Sequence, residues 1–353
     1  MNRVLAPKTF MIVAGLVGGA LASFMTYLGN PANMGLCIAC FTRDIAGALG
    51  LHRAATVQYL RPEIMGIALG AFLSALIFGE FRARGGSAPL VRFFLGAFFM
   101  IGALVFLGCP VRVVLRLAGG DLNAVAGLAG VMAGALAGIY FLKQGFNLGR
   151  WQPTYTAAGW LMPLFMLGLL LLAIFRPAFI LFSKEGPGAA HALLGVSLVA
   201  GLIIGFLAQR TRMCFVGGWR DLFLVKDTYL FSGIAAFFVG ALLVNAIIGK
   251  IHIGFMGQPA AQTNQLWNFL GMALAGLTAT LMGGCPLRQT VLASEGDTDA
   301  GVAIMGMLAG TAFAHNFQLA SSPQGPSAYG PVAVIIGLVF AVAVGLFMRE
   351  SVD

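Results

Sequence analysis

The chain is 353 residues long, 59% hydrophobic and only 9% charged, with a formal net charge of +9. Several apolar runs of 17 to 21 residues are long enough to cross a hydrocarbon core about 30 Å thick, and a soluble protein with an apolar core would not need so many. The positive charge does not describe a nucleic-acid binder, because Lys and Arg stand singly in short loops and never form a run, the pattern of topological signals and pathway residues.

In chain order, crossing segments are expected at 10–28, 63–81, 91–108, 122–142, 159–175, 189–209, 229–249, 265–283, 298–316 and 331–348. The first follows Arg3 and Lys8 and contains Ala20-Leu21-Ala22, which resembles a signal-peptidase site. It is long for a signal sequence, however, and precedes Cys37 as Leu193 to Leu207 precedes Cys214, so it reads as a retained helix. Four segments between the crossings, 35–50, 109–118, 214–226 and 285–294, are too short or too polar to span. Each begins at or near a cysteine. They are expected to be re-entrant or half-depth helices, since irregular backbone survives at membrane depth only against protein or a water-filled cavity.

The cysteines mark a duplication. Gly108-Cys109-Pro110-Val111-Arg112 returns as Gly284-Cys285-Pro286-Leu287-Arg288, and Cys37 and Cys214 each precede an Arg-Asp pair by six residues, Arg43-Asp44 and Arg220-Asp221. Asp121 and Asp297 stand twelve residues after Cys109 and Cys285, and the spans Cys37–Cys109 and Cys214–Cys285 are 72 and 71 residues. The chain therefore divides into a first repeat, 1–180, and a second, 181–353. Five crossings in each require the second to insert upside down, giving inverted repeats about a pseudo-two-fold axis. The expected fold is an all-α polytopic membrane protein of about ten transmembrane helices plus short re-entrant half-helices. With the N-terminus inside, the inner loops and termini, Arg82, Arg84 and Arg288 among them, hold thirteen Lys or Arg against eight outside, which favours both termini in the cytoplasm. Symmetry then predicts that Cys37, Cys109, Cys214 and Cys285 meet near the midplane.

Proline fits the first position of a helix, so Cys109 and Cys285 read as N-caps of short helices, surrounded by free N–H groups and the positive dipole end. Gly108 and Gly284 permit a sharp turn and close approach of a ligand. Arg112 and Arg288 stand three residues on, below the thiol, and such a helix end suits an oxyanion. Arg116 extends that face, where the second repeat has Leu292. A thiol is polarisable and tolerated in an apolar wall, which suits soft sulfur or selenium; the same surroundings also make it nucleophilic. Buried polar groups in a membrane protein usually mark a pathway or a site.

Cys37 and Cys40 form a C-x-x-C, a spacing that suits redox chemistry at a helix start or metal binding. Only Cys37 is matched in the second repeat, where Gly217 replaces Cys40, and no Cys/His cluster completes the roughly four ligands of a zinc site; no metal or cofactor is expected. Five cysteines, an odd number, are not a disulfide framework. Asp44 and Asp221 are expected to pair with arginines, and Asp121 and Asp297 to cap crossing helices. Gly130 with Gly134 and Gly306 with Gly310 read as close helix contacts. His191 and His315 read as packed donors.

The two Gly-Cys-Pro-x-Arg turns, with Cys-Ile-Ala-Cys-Phe-Thr-Arg-Asp-Ile-Ala-Gly-Ala-Leu-Gly at 37–50, resemble the YeeE/YedE sulfur-transport family, most closely its YedE-like branch associated with selenium metabolism. The resemblance covers nearly the whole chain. It implies a bacterial inner-membrane protein with two pseudo-symmetric halves and a narrow, positive route lined by cysteines. Thiosulfate-importing members pass the ion along such thiols, by motif Cys109 and Cys285 here, with Cys37 third; Cys40 and Cys214 go beyond a three-cysteine relay. The leading expectation is a channel-like importer of a small sulfur- or selenium-containing species, a thiosulfate-like anion or a selenium compound, with no direct ATP drive and with a soluble cytoplasmic sulfur carrier as a partner. The rival is a membrane thiol-redox or sulfur-transfer enzyme using Cys37 and Cys40. A third reading is a membrane anchor for a soluble sulfur carrier.

Overall fold

The computed structural model describes residues 6–349; Arg3, one of the loop charges counted above, lies outside them. Fourteen helices run through the described chain, seven in each half. The first half holds α1 (Lys8–Tyr27), α2 (Ile38–Ala48), α3 (Pro62–Ile77), α4 (Pro89–Phe106), α5 (Pro110–Ala118), α6 (Asn123–Lys143) and α7 (Thr156–Phe175). The second holds α8 (Leu194–Thr211), α9 (Gly217–Leu224), α10 (Tyr229–Ile247), α11 (Gln265–Leu281), α12 (Pro286–Ser294), α13 (Thr298–Asn316) and α14 (Gly330–Phe347). Two two-residue strands, β1 (Arg84–Gly85) and β2 (Gln152–Pro153), pair antiparallel. The ten crossing segments and the four short ones all fall where the sequence places them.

Among the described residues eight helical stretches, α1, α4 with α5, α6, α7, α8, α10, α11 with α12, and α14, are long and apolar enough to cross a membrane. The protein is a multi-pass membrane protein. The shorter α3, of 16 residues, and the more polar α13 pack along α8 and α4 respectively, which brings the crossings to ten.

The main helix pairs join opposite halves and come in exchanged couples: α1 with α10 and α3 with α8, α4 with α13 and α6 with α11. Glycines set each contact. Gly15 faces Gly233 and Gly19 faces Phe237; Gly66 faces Leu198 and Gly70 faces Leu202. Gly306 faces Phe93 and Gly310 faces Ala97; Gly130 faces Phe269 and Gly134 faces Ala273. In every pair a step of four residues on one helix matches four on the other, so the partners run parallel. A Cβ at these glycines would meet partner backbone, which is why small residues line the seams. Ten alternating crossings make α1 and α10 parallel, as they do the other three pairs, and set α8 opposite to its counterpart α1.

The half-depth helices follow the same exchange: α5 leans on α10 and α12 on α3, while α2 rests on α13 and α9 on α6. The helices α2, α5 and α12 are held inside protein, whereas α9 buries only Gly217 and Gly218.

Candidate functional site

Each half builds its own thiol group where two half-depth helices begin. In the first, Cys37 is the extended N-cap of α2, and its Sγ accepts the Cys40 N–H at 3.3 Å. The Cys37 and Cys40 sulfurs stand 2.8 Å apart, and Cys37 Sγ is 3.8 Å from Cys109 Sγ. Cys109 caps α5 with Pro110 in the first turn, but its thiol makes no cap bond. All three are fully buried.

In the second group Cys214 Sγ accepts the N–H of Gly217 at 3.1 Å and that of Cys285 at 3.3 Å. Gly217 thus keeps the donor that Cys40 supplies in the first half and omits the sulfur. Cys285 caps α12, with Pro286 in the first turn. Each half closes its thiols around its own helix starts, and among the described residues no sulfur–sulfur hydrogen-bond contact joins the two groups.

The arginines explain the glycines before them. Arg112 and Arg288 fold back over the turn, so a Cβ on Gly108 would stand 2.8 Å from Arg112 Cδ, and one on Gly284 2.7 Å from Arg288 Cγ. Arg112 is fully buried. It donates to the carbonyls of Asn33 at 3.0 Å and Ala260 at 3.2 Å, to that of Leu107, and lies 3.5 Å from Cys40 Sγ. Among the described residues no carboxylate stands within ion-pair distance of it. Arg288 differs: it contacts Glu295 at 3.5 Å. Leu107 holds a left-handed φ of 66° where the second half has Gly283 at 91°, and this aims its carbonyl at Arg112.

The remaining charges are paired. Asp44 lies between Arg43 and Arg61, each at 2.7 Å, and Asp221 takes Arg220 at 2.7 Å. Asp121 takes Arg116 at 2.5 Å, while Asp297 takes Arg84 at 2.9 Å. Asp297 also caps α13 by accepting the Ala300 N–H. Asp121 does not occupy the expected N-cap: α6 starts at Asn123, and Asp121 instead accepts the Asn123 N–H at 2.9 Å in a turn that precedes the helix. Around the first thiol group the arginines 43, 61, 112 and 116 outnumber Asp44 and Asp121; around the second, Arg84, Arg220 and Arg288 meet Asp221, Glu295 and Asp297. Arg212, two residues before Cys214, shares Glu80 with Arg210, so both groups carry surplus positive charge, the first more of it.

That group lies behind a polar cavity of about 360 Å³ on the side where α1 and α10 end, lined by Thr26, Asn33, Asn245, Lys250, His252, Gln258 and Pro259 among others. Asn33 and Pro259 in its wall present their carbonyls to Arg112 behind them. Among the described residues no group of three or more His, Cys, Asp or Glu is arranged to hold a metal ion.

Several site residues escaped sequence reasoning. Arg84, assigned to a loop by its charge, is buried and reaches Glu295 as well as Asp297. Arg61 and the loop holding Ala260 lie far along the chain from what they touch, and neither carries a motif. Arg61 does stand directly before the proline that opens an apolar run, which is a legible hint. His315 stacks on His52 at 4.5 Å, and His191 on Tyr59 at 4.1 Å.

A family model described as sulphur transport matches residues 210–349. The chain is 33% identical over 108 residues to the thiosulfate transporter TsuA of Spirochaeta thermophila, covering 31% of this chain and 32% of that one. It is 31% identical over 101 residues to TsuA of Escherichia coli, covering 28% of each. An uncharacterized Methanocaldococcus jannaschii protein, MJ1590, is 30% identical over 93 residues, 23% of this chain and 89% of that relative. The chain belongs to the YeeE/YedE sulfur-transport family. Its matches span less than a third of each of the two thiosulfate transporters, and the family model falls on the second half, which contains the Cys214 and Cys285 group.

Proposed function

We propose that the protein is a bacterial inner-membrane importer that passes a small sulfur- or selenium-containing anion along its cysteines. The observation that carries this reading is Arg112, a fully buried guanidinium with no carboxylate partner among the described residues, 3.5 Å from Cys40 Sγ and one residue behind the wall of the polar cavity. A buried cation is costly unless compensated, and an entering anion supplies the missing charge. The cavity, with Lys250 and His252, gathers the ion from outside. Arg112 draws it to Cys37, Cys40 and Cys109, where soft sulfur atoms replace part of its hydration. Cys214 and Cys285, beside Arg220 and Arg288, receive it next. The charge surplus falls from the first group to the second, so binding weakens along the path, as permeation requires. Both termini are cytoplasmic in this reading, and a soluble sulfur-carrier protein takes the cargo on that side.

The thiosulfate transporters among its relatives support a sulfur oxyanion as cargo, and the polarisable thiols suit a selenium compound equally. A second reading, a membrane thiol-redox or sulfur-transfer enzyme, draws on the 2.8 Å approach of Cys37 and Cys40.

The test is uptake of labelled thiosulfate and selenite into proteoliposomes by the wild type, Cys109→Ala and Cys285→Ala. Uptake of one ion, lost in both variants, is expected. Uptake that survives both substitutions overturns the relay; no uptake of either ion by the wild type tells against import of these anions.

A further inference from the structure

We propose that Cys37 and Cys40 are a reversible dithiol–disulfide site, and that closing it withdraws both sulfurs from the first thiol group. The disulfide rests on sulfur geometry alone; its effect on passage rests on the pathway proposed above.

The two sulfurs are 2.8 Å apart, inside van der Waals contact and longer than a disulfide bond. They stand at the N-cap and third position of one helix, so the backbone already holds them at bridging range and bond formation asks only for a small side-chain rotation. Each has a second neighbour. Cys40 Sγ faces the Arg112 guanidinium at 3.5 Å, and Cys37 Sγ faces Cys109 Sγ at 3.8 Å. The Cys37–Cys109 separation is a full ångström greater than the Cys37–Cys40 separation, so Cys40 is the favoured partner. The second half lacks a C-x-x-C, because Gly217 stands at the Cys40 position and supplies only its N–H; Cys214 there neighbours Cys285, from another helix start.

A peroxide is a sufficient oxidant. The Cys40 thiolate, beside the Arg112 cation, attacks one peroxide oxygen; the O–O bond breaks, water leaves, and Cys40 becomes a sulfenic acid. The Cys37 thiol then attacks that sulfur, forming the S–S bond and releasing a second water. Two electrons pass from the pair to the peroxide, and an external dithiol returns them by exchange. In the disulfide, Cys40 no longer offers a thiol to an anion held by Arg112, and Cys37 no longer offers one to Cys109. The first half is thereby oxidisable within a single C-x-x-C, a pair the second half does not repeat.

The experiment treats the purified full-length protein in proteoliposomes with hydrogen peroxide, then with dithiothreitol, and counts free thiols after denaturation while mapping linked peptides by mass spectrometry. The wild type, with five cysteines, is expected to fall to three free thiols with a Cys37–Cys40 link and to recover all on reduction. Cys40→Ser is expected to form no intramolecular link. Five thiols persisting in the wild type, or a link from Cys37 to Cys109, overturns the proposal. In parallel, thiosulfate uptake by the wild type is expected to drop at least tenfold on oxidation and to return on reduction; unchanged uptake with the link formed overturns its effect on passage. A reduced wild type that imports nothing counts against the import function and against this effect, while the thiol count still decides the disulfide.

Discussion

Arg84 in the first half donates to Asp297 in the second at 2.9 Å, whereas the equivalent aspartate, Asp121, is neutralised by Arg116 from its own half at 2.5 Å. The two aspartates are duplicated; their cations are not. The second half has Leu292 where the first has Arg116, and the missing charge arrives across the seam. The backbone shows the same exchange, with isolated parallel bridges joining Arg84 to Asp297 and Asp121 to Gly254.

This pairing predicts the effect of Asp297→Asn. The amide keeps an oxygen to cap the Ala300 N–H but leaves Arg84 with Glu295 alone, at 3.4 Å. Stability should fall by about 1–3 kcal/mol, less than for a fully orphaned buried charge. Thermal unfolding of the detergent-solubilised protein measures it, and an unchanged melting temperature would show that Glu295 suffices.

Gly108→Ala and Gly284→Ala place a Cβ against the arginine that folds back over each turn. The flexible side chain can yield, so both variants should fold. The displaced Arg112 loses its carbonyl partners, and under the import function proposed above thiosulfate uptake should drop at least tenfold in Gly108→Ala. Uptake kinetics across substrate concentration test this; wild-type rates in that variant would mean that the position of Arg112 does not matter.

Leu107→Gly removes a buried side chain, which costs about 2–5 kcal/mol, and relieves left-handed strain, so melting should fall, but by less than for Leu→Ala at a buried helical site. A non-glycine residue in the left-handed region costs roughly 1–2 kcal/mol, and the second half already uses Gly283 there. Gly283→Leu should cost a similar amount. Both melting temperatures should fall, and a rise in Leu107→Gly would show that the strain of the left-handed turn outweighs the packing of the Leu107 side chain.

Glu63, at the start of α3, is buried. Its Oε1 accepts from Asn30 at 2.8 Å and Ser197 at 2.9 Å, while Oε2 has no partner. No cation lies within ion-pair distance among the described residues. Glu63→Gln keeps an acceptor for both donors and removes an uncompensated carboxylate, so melting should rise. A fall of several degrees would mean that Glu63 is needed as an acid.

Helix positions were legible because membrane thickness dictates long apolar runs and because the short segments announce themselves with cysteine, proline and glycine. The turn at Cys109 and Cys285 was legible for the same local reason: proline opens the helix and glycine precedes it. Contacts between distant segments were not. Nothing local in Arg84 distinguishes a buried partner of Asp297 from a loop charge, and nothing in Cys40 says that Arg112, 72 residues later, approaches it. Symmetry relates the two thiol groups without requiring their sulfurs to touch, so the grouping within each half was not legible either. Duplication also concealed differences, since Arg112 and Arg288 occupy matched positions but only Arg288 has a carboxylate neighbour.

The parallel seams carry a consequence for biogenesis. During synthesis α1, α3, α4 and α6 all leave the ribosome before α8, α10, α11 and α13 exist, so each spends that interval with its bare glycine stripe turned to lipid or to the insertion machinery. Gly15, Gly19, Gly66 and Gly70 cannot be covered by neighbours from their own half. The first half is therefore an unfinished surface awaiting its complement, and gene fragments encoding the halves separately should yield a working protein only when both are made together in the same membrane.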